Sequence, residues 1–503
     1  MSTVRSRRPW LLEARVPDAS TTNGGAAAAS SAASAPNGAA EVAVKPGRHR
    51  ESTLYHALHG AGAGAGRSLQ ELREAALAVY EHSELPVWRR SGFWTTSFES
   101  LDLEALQVRH HETGASAIPQ IVLDTLPERP RAGRIVQSDS SVVHIELDPE
   151  LASRGVILCS LEDAAREHPE LFAQWYSKRL TYDRHKLEAA NAALWTGGAF
   201  LHVPAGLAIE EPFEIVYAID GPGVAQYGRT LIVGERGCEF RVHEYDLAGN
   251  FTGYPEGHTQ GAQGRQALHA GAFELYLQDG ARCRLAQVQD WGSGEVFDAS
   301  TRVVSVGRDA YCHWLPTLLG GHLVRQHLEL AVTEPGGDMA FRGLFFTEGQ
   351  ELMDVFAVDL HETGPSGGDV HWRGAATGTS RASFEGLIQI DPGAQQTHTY
   401  LQIHSMMLSP KARVDAIPSV LVSADDVSAS HGGTVGELDE DLIFYMQSRG
   451  LDRASAVRVI VEGFFEPLLS ELRDEPLEEL VRAKVTEKLA SAREDIEAYA
   501  TSR

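Results

Sequence analysis

The chain has few cysteines and no long apolar run. Cys159, Cys238, Cys283 and Cys312 lie far apart among 503 residues, and no two of them form a C-x-x-C pair. This spacing argues against a disulfide framework and a local zinc site, and favours free thiols in a reducing compartment. No stretch approaches 18 consecutive apolar residues, so the sequence predicts no membrane span and no membrane partner.

Positive charge is also scarce. The sequence has 44 Lys and Arg against 69 Asp and Glu, which gives a formal net charge of -25 at pH 7. Phosphate binding needs concentrated Lys and Arg, so this balance argues against nucleic acid as a partner. We expect a protein partner instead. A chain of this length can bury the cores of two or more structural units.

The N-terminal tail, residues 1–52, contains a tract at residues 20–40 from which large apolar residues are absent. The tract STTNGGAAAASSAASAPNGAA has little to bury, and we expect this tail to be disordered. The tail is also rich in Arg, Ser and Ala and poor in acidic residues, which fits an organelle transit peptide. An organelle stroma is therefore the alternative to the cytoplasmic localisation that we expect.

Three regions of different pattern follow the tail. Residues 53–197 contain amphipathic stretches such as SLQELREAALAVY and SLEDAAREHPELFAQWYSKR, which predict a mainly helical N-terminal domain. Residues 198–425 are short strand-like runs without intervening helices, so we predict a mainly β fold: a sandwich, a barrel or a solenoid. Turns recur at uneven intervals with no clean repeat, which an irregular β-helix accommodates best. Residues 426–503 predict a C-terminal helical domain.

The segment ADDVSASHGGTVGELDEDLIFYMQSRG joins the strand-like region to the C-terminal helices. Asp425 to Gly433 predict a strand end and a turn, and Asp439 to Arg449 predict a helix with Gly450 in the C-cap region. His431 lies in the predicted turn among small residues. This setting suits a ligand or contact residue, and the alternative is a surface or capping histidine.

Two further amphipathic helices are predicted after residue 450. Asp452 is placed to cap the first helix, and Asp474 is placed to cap the second. The second helix carries an apolar stripe that includes Leu477, Val481 and Val485. These helices either cap the open end of the strand region or dock a partner.

Several motifs resemble landmarks of the SufB/SufD family of iron-sulfur cluster assembly proteins, in the family order. They are WRRSGFWTTSFESL, ALWTGGAFLHVPAGL, YGRTLIV, VQDW, SRASFEGLIQIDPGAQQTHTY, MMLSPKARVDAIPSVLV and the junction segment. The resemblance covers roughly residues 70–480. It implies a right-handed parallel β-helix between helical ends, in a non-enzymatic scaffold subunit of an ATPase-driven complex.

Departures from the family pattern indicate which member the chain resembles. SufB accepts sulfur on a cysteine where this chain has Asp246, and the stretch YLQIHSMML lacks a second SufB cysteine. Only a thiolate can accept persulfide sulfur, so the chain resembles SufD. A SufB-like sulfur-accepting scaffold is the alternative. A polysaccharide-active β-helix enzyme is a more distant one, suggested by Asp354, Asp359 and Glu362.

The resemblance implies a role for His431. It corresponds to the histidine that SufD contributes to cluster assembly at its interface with SufB, as a transient metal contact. No cofactor is expected to stay bound to the isolated chain. The cysteine that usually stands two residues earlier is Ala429 here. In the family's DNHTTIDH region a histidine is replaced by Phe356, although Asp354 and His361 remain.

The resemblance also implies the partners. They are a SufB-like protein, a SufC-like ABC-type ATPase and, indirectly, a cysteine desulfurase system. It places ATPase docking in the C-terminal helices, where we expect exposed apolar residues with charged edges. The predicted docking residues are Leu442, Phe444, Tyr445, Arg449, Gly450, Leu477, Val481 and Val485.

Deleting residues 1–52 should leave the melting temperature nearly unchanged, because a Gly, Ala and Ser tract cannot offset its ordering entropy by burial. Thermal unfolding of the full chain and the shortened chain checks this. A drop of more than about 5 °C, which exceeds about 1 kcal/mol for a chain of this size, would show that the tail packs.

Overall fold

The computed structural model describes residues 67–90, 94–111, 118–249, 266–292, 295–493 and 496. The tail predicted to be disordered, residues 1–52, lies outside the described residues. The described helices are α1 (Arg67–His82), α2 (Gln120–Thr125), α3 (Pro149–Ser153), α4 (Leu161–Glu167), α5 (Pro169–Trp175), α6 (Lys186–Leu194), α7 (Glu440–Ser448), α8 (Arg453–Leu469) and α9 (Glu475–Ser491), with a short 3-10 turn at Leu103–Ala105.

The described chain contains twenty-three strands. They are β1 (Val87–Arg90), β2 (Trp94–Ser97), β3 (Gly133–Ser138), β4 (Ser141–Leu147), β5 (Ile157–Cys159), β6 (Ala199–Val203), β7 (Ala208–Ile219), β8 (Ala225–Gln226), β9 (Arg229–Gly234), β10 (Glu239–Ala248), β11 (Ala267–His269), β12 (Ala272–Leu277), β13 (Arg282–Asp290), β14 (Val296–Val306), β15 (Tyr311–Leu319), β16 (Leu323–Val332), β17 (Asp338–Thr347), β18 (Leu352–His361), β19 (Ser366–Ala376), β20 (Arg381–Ile390), β21 (Thr397–Met407), β22 (Arg413–Val422) and β23 (Val427–Glu437).

Two long sheets face each other around a shared core. One sheet has ten strands in the order β23-β21-β19-β17-β15-β13-β10-β7-β3-β4, and the other has eleven, ending in β16-β18-β20-β22. Successive strands of the chain alternate between the sheets, and neighbours within a sheet are parallel except at the N-terminal end. The chain therefore forms a β-solenoid of about eight turns, and the predicted mainly β fold with a parallel β-helix is confirmed.

The turns of the solenoid differ in length. Asp338 pairs with Gly367 and Gly367 pairs with His398, so successive turns here take 29 and 31 residues. The strands stay in register because their connecting loops absorb the difference. This variation explains why no clean repeat is visible in the sequence.

Inward-facing side chains of successive turns stack along the solenoid axis. Trp314 lies parallel to Phe341 with ring centroids 4.8 Å apart, and Phe341 meets Trp372 edge-on at 5.6 Å. Trp372 in turn lies 4.7 Å from Phe384, which is fully buried. Alternate residues of each strand supply this core, as expected for strands with one face buried.

The predicted domain boundaries need correction. The N-terminal region, residues 53–197, also contains strands, because β3, β4 and β5 join the two long sheets. The helical block predicted around Ser160 is two helices, and Pro169 starts the second. The strand region continues to Glu437, past the predicted limit of 425, because an exposed edge strand can be built from small polar residues.

The two ends of the solenoid differ. At the N-terminal end, β4 and β5 pair antiparallel with the last strands of the two sheets. Leu151, Val156 and Leu158 are buried against the core there. At the C-terminal end, β22 and β23 are the outermost strands, and no described strand pairs with their outer edges. One end of the core is therefore covered, while the other is open.

The last two helices, α8 and α9, pack along the outer face of the ten-stranded sheet. They share an apolar cluster with outward-facing residues such as Val216, Tyr245 and Leu344. Arg342 donates from Nε to Glu471 at 2.9 Å, and Lys488 donates to Glu348 at 2.9 Å. These helices form a flank of the solenoid and leave its open end uncovered.

Two predicted cap residues, Asp452 and Asp474, cap α8 and α9 through their side chains. The exposure of the apolar stripe of α9 differs from the prediction. Leu477, Val481 and Val485 are at most 1% exposed, because this stripe faces the sheet. They are structural residues of the flank and cannot offer an exposed surface to an ATPase.

Among the described residues, no helix is long and apolar enough to cross a membrane.

Gly374→Ala should destabilise the protein by about 1–3 kcal/mol, the usual range for overpacking a core. A methyl group at Gly374 would overlap the ring of Phe345, which is buried and cannot move aside. Gly436→Ala is the matched control, because nothing lies within 4 Å of its added methyl group. Denaturant unfolding of both variants measures the difference, and equal stabilities would contradict the packing described for this sheet.

Candidate functional site

His431 lies in the middle of β23, the last strand of the ten-stranded sheet. The prediction that it lies in a turn is wrong, because Val427 to Glu437 pair in continuous register with β21. His431 is directly beside Leu401, which is beside Val370 on β19. The composition of this strand resembles a turn, but the neighbouring turn of the solenoid supplies the hydrogen bonds that make it a strand.

The register also fixes the face on which His431 lies. Leu401 and Val370 are each 1% exposed and belong to the core inside the solenoid. His431 stands in the same inward row, but no further turn covers it, so it is exposed. The imidazole therefore lies at the mouth of the core.

The inward rows of β22 and β23 together form the surface that we call the open end. Its residues are Val414, Ala416, Pro418, Val420, Val422, Val427, Ala429, His431, Gly433 and Val435. Val420, Val422 and Val435 are 38%, 42% and 40% exposed. This surface is apolar apart from His431 and from Glu437, which ends the inward row of β23 beside Met407.

Two glycines of β23, Gly432 and Gly436, lie where the chain leaves space for a side chain. A methyl group added at Gly436 would meet nothing within 4 Å, and one at Gly432 would only approach the Tyr400 hydroxyl at 3.8 Å. Packing within the chain therefore does not require glycine at either position. No described strand pairs with the outer edge of β23, and an unpaired strand edge can pair with a strand of another chain.

A second group of polar side chains lies near the open end, on the outer face of the same sheet. His404 Nδ1 is 2.6 Å from Thr434 Oγ1, and burial lowers the pKa of His404, helped by Arg373 and His371. On β19, a hydrogen bond from His371 is the main cause that lowers the pKa of Asp369 to about 2. The described residues contain no set of three or more His, Cys, Asp or Glu side chains that could hold a metal ion.

All four cysteines are free, and none lies on the open end. The solenoid brings two of them together, because Cys283 and Cys312 are in register on neighbouring turns. Their separation in the sequence concealed this. Cys238, Cys283 and Cys312 are buried, and burial raises the pKa of each, to about 12 for Cys238. Burial also raises the pKa of Cys159 to about 12, so none of these thiols is activated as a thiolate.

The carboxylates that suggested a polysaccharide-active enzyme do not form an acid and base pair. Asp354 lies on the outer face of β18, where it accepts a hydrogen bond from Thr96 at 2.6 Å. Asp359 faces the core and is 3.2 Å from His361, and both side chains are inaccessible. Glu362 is 2.8 Å from Arg179. Strand alternation puts Asp354 and Asp359 on opposite faces, so they cannot act on one substrate.

Helix α7 follows β23 directly and carries large apolar side chains that are exposed. Asp439 caps it by accepting hydrogen bonds from two backbone N–H groups, and Gly450 follows in the left-handed region with φ +98°. Ile443 is fully buried beneath the helix. Leu442, Phe444 and Tyr445 are 42%, 73% and 53% exposed, and the Arg449 guanidinium lies 5.1 Å from the Tyr445 ring. We call these four residues the α7 patch.

The chain matches two family models. The SufBD core domain of the SUF system for FeS cluster assembly matches residues 217–464, and the SufBD protein N-terminal region matches residues 62–215. An iron-sulfur cluster assembly SufBD family protein from Staphylococcus epidermidis is 23% identical over 410 residues, which covers 80% of this chain and 85% of that protein. One from Staphylococcus saprophyticus is 25% identical over 341 residues, which covers 68% and 70%.

Proposed function

Since the chain belongs to the SufBD family of iron-sulfur cluster assembly proteins, we propose that it is a SufD-like scaffold subunit. In this proposal it pairs with a SufB-like protein through the open end and docks a SufC-like ATPase on the α7 patch. The observation that carries the proposal is the asymmetry of the solenoid. One end is covered by its own chain, while the other exposes an apolar core with His431 at its mouth.

The open end has the properties of an interface. Exposed Val420, Val422 and Val435 would be covered by the end of a second solenoid, and this burial is favourable. The outer edges of β22 and β23 would gain main-chain hydrogen bonds from the partner's last strands. Pro418, which has no N–H, lies in the middle of β22 and limits which strands can pair there.

The cysteines favour a SufD-like role over a SufB-like one. Persulfide transfer needs an accessible thiolate, and the four thiols here are wholly or partly buried with raised pKa values. The sulfur and most cluster ligands would therefore come from the SufB-like partner, which receives sulfur from a cysteine desulfurase system in the cytoplasm. The cluster is cargo in this scheme. His431 supplies an imidazole at the interface, where it can contact iron transiently and support iron acquisition.

The position of α7 would connect ATPase docking to the cluster interface. Only Leu438 and Asp439 separate β23 from α7. Leu438 and Ile443 anchor this link in the same apolar cluster as α8 and α9. A movement of α7 driven by ATPase dimerisation would therefore be transmitted to β23 with little slack. The scaffold itself performs no chemical step in this proposal.

His431→Ala should lower the yield of cluster several-fold in the assembled complex without affecting folding. The side chain is exposed, so its removal should change stability by less than about 0.5 kcal/mol. The measurement is anaerobic reconstitution of the complex, followed by iron and sulfide analysis. His398→Ala is the matched control, because His398 is an exposed histidine on the outer row of the adjacent strand. Equal cluster yields for the two variants would reduce His431 to a surface histidine.

Phe444→Ser should weaken ATPase binding by about 2 kcal/mol or more, the loss typical of a central aromatic contact. Leu123→Ser is the control, because Leu123 is 55% exposed on α2 and lies outside the proposed interface. Calorimetry with the purified ATPase compares the variants. Point substitutions are preferable to truncation after Gly450, since truncation would uncover the flank of the ten-stranded sheet. Unchanged affinity for the Phe444 variant would place the docking site elsewhere.

A further inference from the structure

A cluster of charged side chains lies inside the solenoid, away from both proposed interfaces. Glu244 and Asp246 come from β10, and Asp298 and Arg302 come from β14. All four are at most 3% exposed. Three carboxylates therefore face one guanidinium in the buried core. The cluster would carry two excess negative charges if every carboxyl were ionised.

The hydrogen bonds of the cluster are unevenly distributed. Arg302 donates to Glu244 Oε1 and, at 2.9 Å, to Asp246 Oδ2. Asp246 Oδ2 also accepts from Gln287 at 3.0 Å. Asp298 is better supplied, since it accepts from Gln326 at 2.8 Å, from Trp291 at 2.9 Å and from Ser300. Glu244 is the carboxyl with the fewest donors, because Arg302 is its single partner among the described residues.

Neighbouring elements supply no second positive charge. From β11, His269 Nδ1 lies 2.8 Å from Gln226 Oε1, and burial, reinforced by Arg302, lowers the pKa of His269 to about 3, so its ring is neutral. From β7, Tyr217 shares a hydrogen bond with Thr230 at 2.8 Å. From β12, the Phe273 ring lies 5.6 Å from the Arg302 guanidinium. In the described chain, no other Lys or Arg contacts the three carboxylates.

Within the part of the chain that the structure describes, three acceptor atoms of the cluster have no donor. Glu244 Oε2, Asp246 Oδ1 and Gln287 Oε1 are buried without a hydrogen-bond partner. Glu244 and Gln287 are directly opposite each other on neighbouring strands. A buried acceptor without a donor is unfavourable, and a protonated carboxyl group becomes a donor. A proton on Glu244 Oε2 would supply a donor to this group while Oε1 still accepts from Arg302.

We propose that Glu244 keeps its proton at weakly acidic pH and acts as a hydrogen-bond donor inside the solenoid, so that the stability of this part of the core depends on pH. The proton reduces the excess charge and gives the unpartnered acceptors a donor. Burial is also the main cause that raises the pKa of Glu244 to about 7, against the opposing effect of Arg302. Burial likewise raises the pKa of Asp246 and, to about 7, that of Asp298.

The sign of the pH dependence follows from the raised pKa. Between about pH 4.5, the ordinary value for Glu, and about pH 7, the folded protein binds a proton that the unfolded chain has released. The stability contributed by this proton is complete below pH 4.5 and is lost as the pH rises through 7. Each proton retained in this way makes the folding equilibrium constant fall about tenfold per pH unit in that window.

Glu244→Gln tests the proposal, because glutamine keeps the shape, removes the charge and places an amide donor near the unpartnered acceptors. Denaturant unfolding from pH 5 to 8.5 should show the variant gaining stability relative to the wild type as the pH rises to 7, by about tenfold in equilibrium constant per unit. Glu214→Gln is the control. Glu214 is equally buried, but Arg129, Arg131 and Arg134 surround it, so that variant should be less stable throughout.

A stability difference between Glu244→Gln and the wild type that stays constant from pH 5 to 7 would overturn the proposal, because a Glu244 that is ionised in both the folded and the unfolded state does not make stability depend on pH. If the variant does not fold, wild-type protein labelled with carbon-13 in the glutamate carboxyl groups gives a second measurement. Glu351 is a second glutamate, partly buried, whose pKa burial raises to about 7, so Glu351→Gln removes its signal. The proposal expects a glutamate signal that titrates near pH 7 both in the wild type and in Glu351→Gln. The absence of such a signal in Glu351→Gln would overturn it.

Discussion

Each turn of this solenoid depends on the next for its backbone hydrogen bonds and for the burial of its inward side chains. A single turn has neither a complete sheet nor a complete core, so the ends of the stack decide what the protein can do. The N-terminal end is completed by antiparallel strands and by Leu151, Val156 and Leu158. The C-terminal end is left incomplete, and the histidine expected to contribute to cluster assembly lies on it.

The same dependence divides the apolar residues of the C-terminal region into two roles. The stripe of α9 completes the outer face of the ten-stranded sheet, so Val481 and Val485 stabilise the fold. On α7, Ile443 joins the same cluster, but Leu442, Phe444 and Tyr445 are exposed, and Phe444 is 73% exposed. In the proposed function, stability and partner binding therefore depend on different helices, so that each could be altered without the other.

Local rules predicted much of this structure from the sequence. Ala382, Phe384, Ile388 and Ile390 alternate in the sequence and all face the core, and Asp452 and Asp474 cap α8 and α9 as expected. The capping and alternation rules work because they depend on residues within a few positions of each other. Burial of an amphipathic stripe depends on which surface lies opposite, and the sequence of α9 alone does not contain that information.

The location of His431 shows the same limit. Its neighbours are small and polar, which is typical of a turn, but pairing with β21 makes the segment a strand. The candidate residue was predictable because the family resemblance identified it, while its position at the mouth of the core was not. Likewise, the contact between Cys283 and Cys312 arises from the register of neighbouring turns, which an uneven repeat hides.

The covered N-terminal end also limits the size of any assembly. A solenoid with two open ends could join head to tail without stopping, as heterologous contacts generate filaments when they do not close. Here β4, β5 and the apolar residues Leu151, Val156 and Leu158 cover the core on one side, so only the other end exposes core residues to a second solenoid. Joining two such ends uses the growing face of both chains. Polymerisation then terminates at a pair, and the antiparallel cap acts as a chain terminator built into the fold.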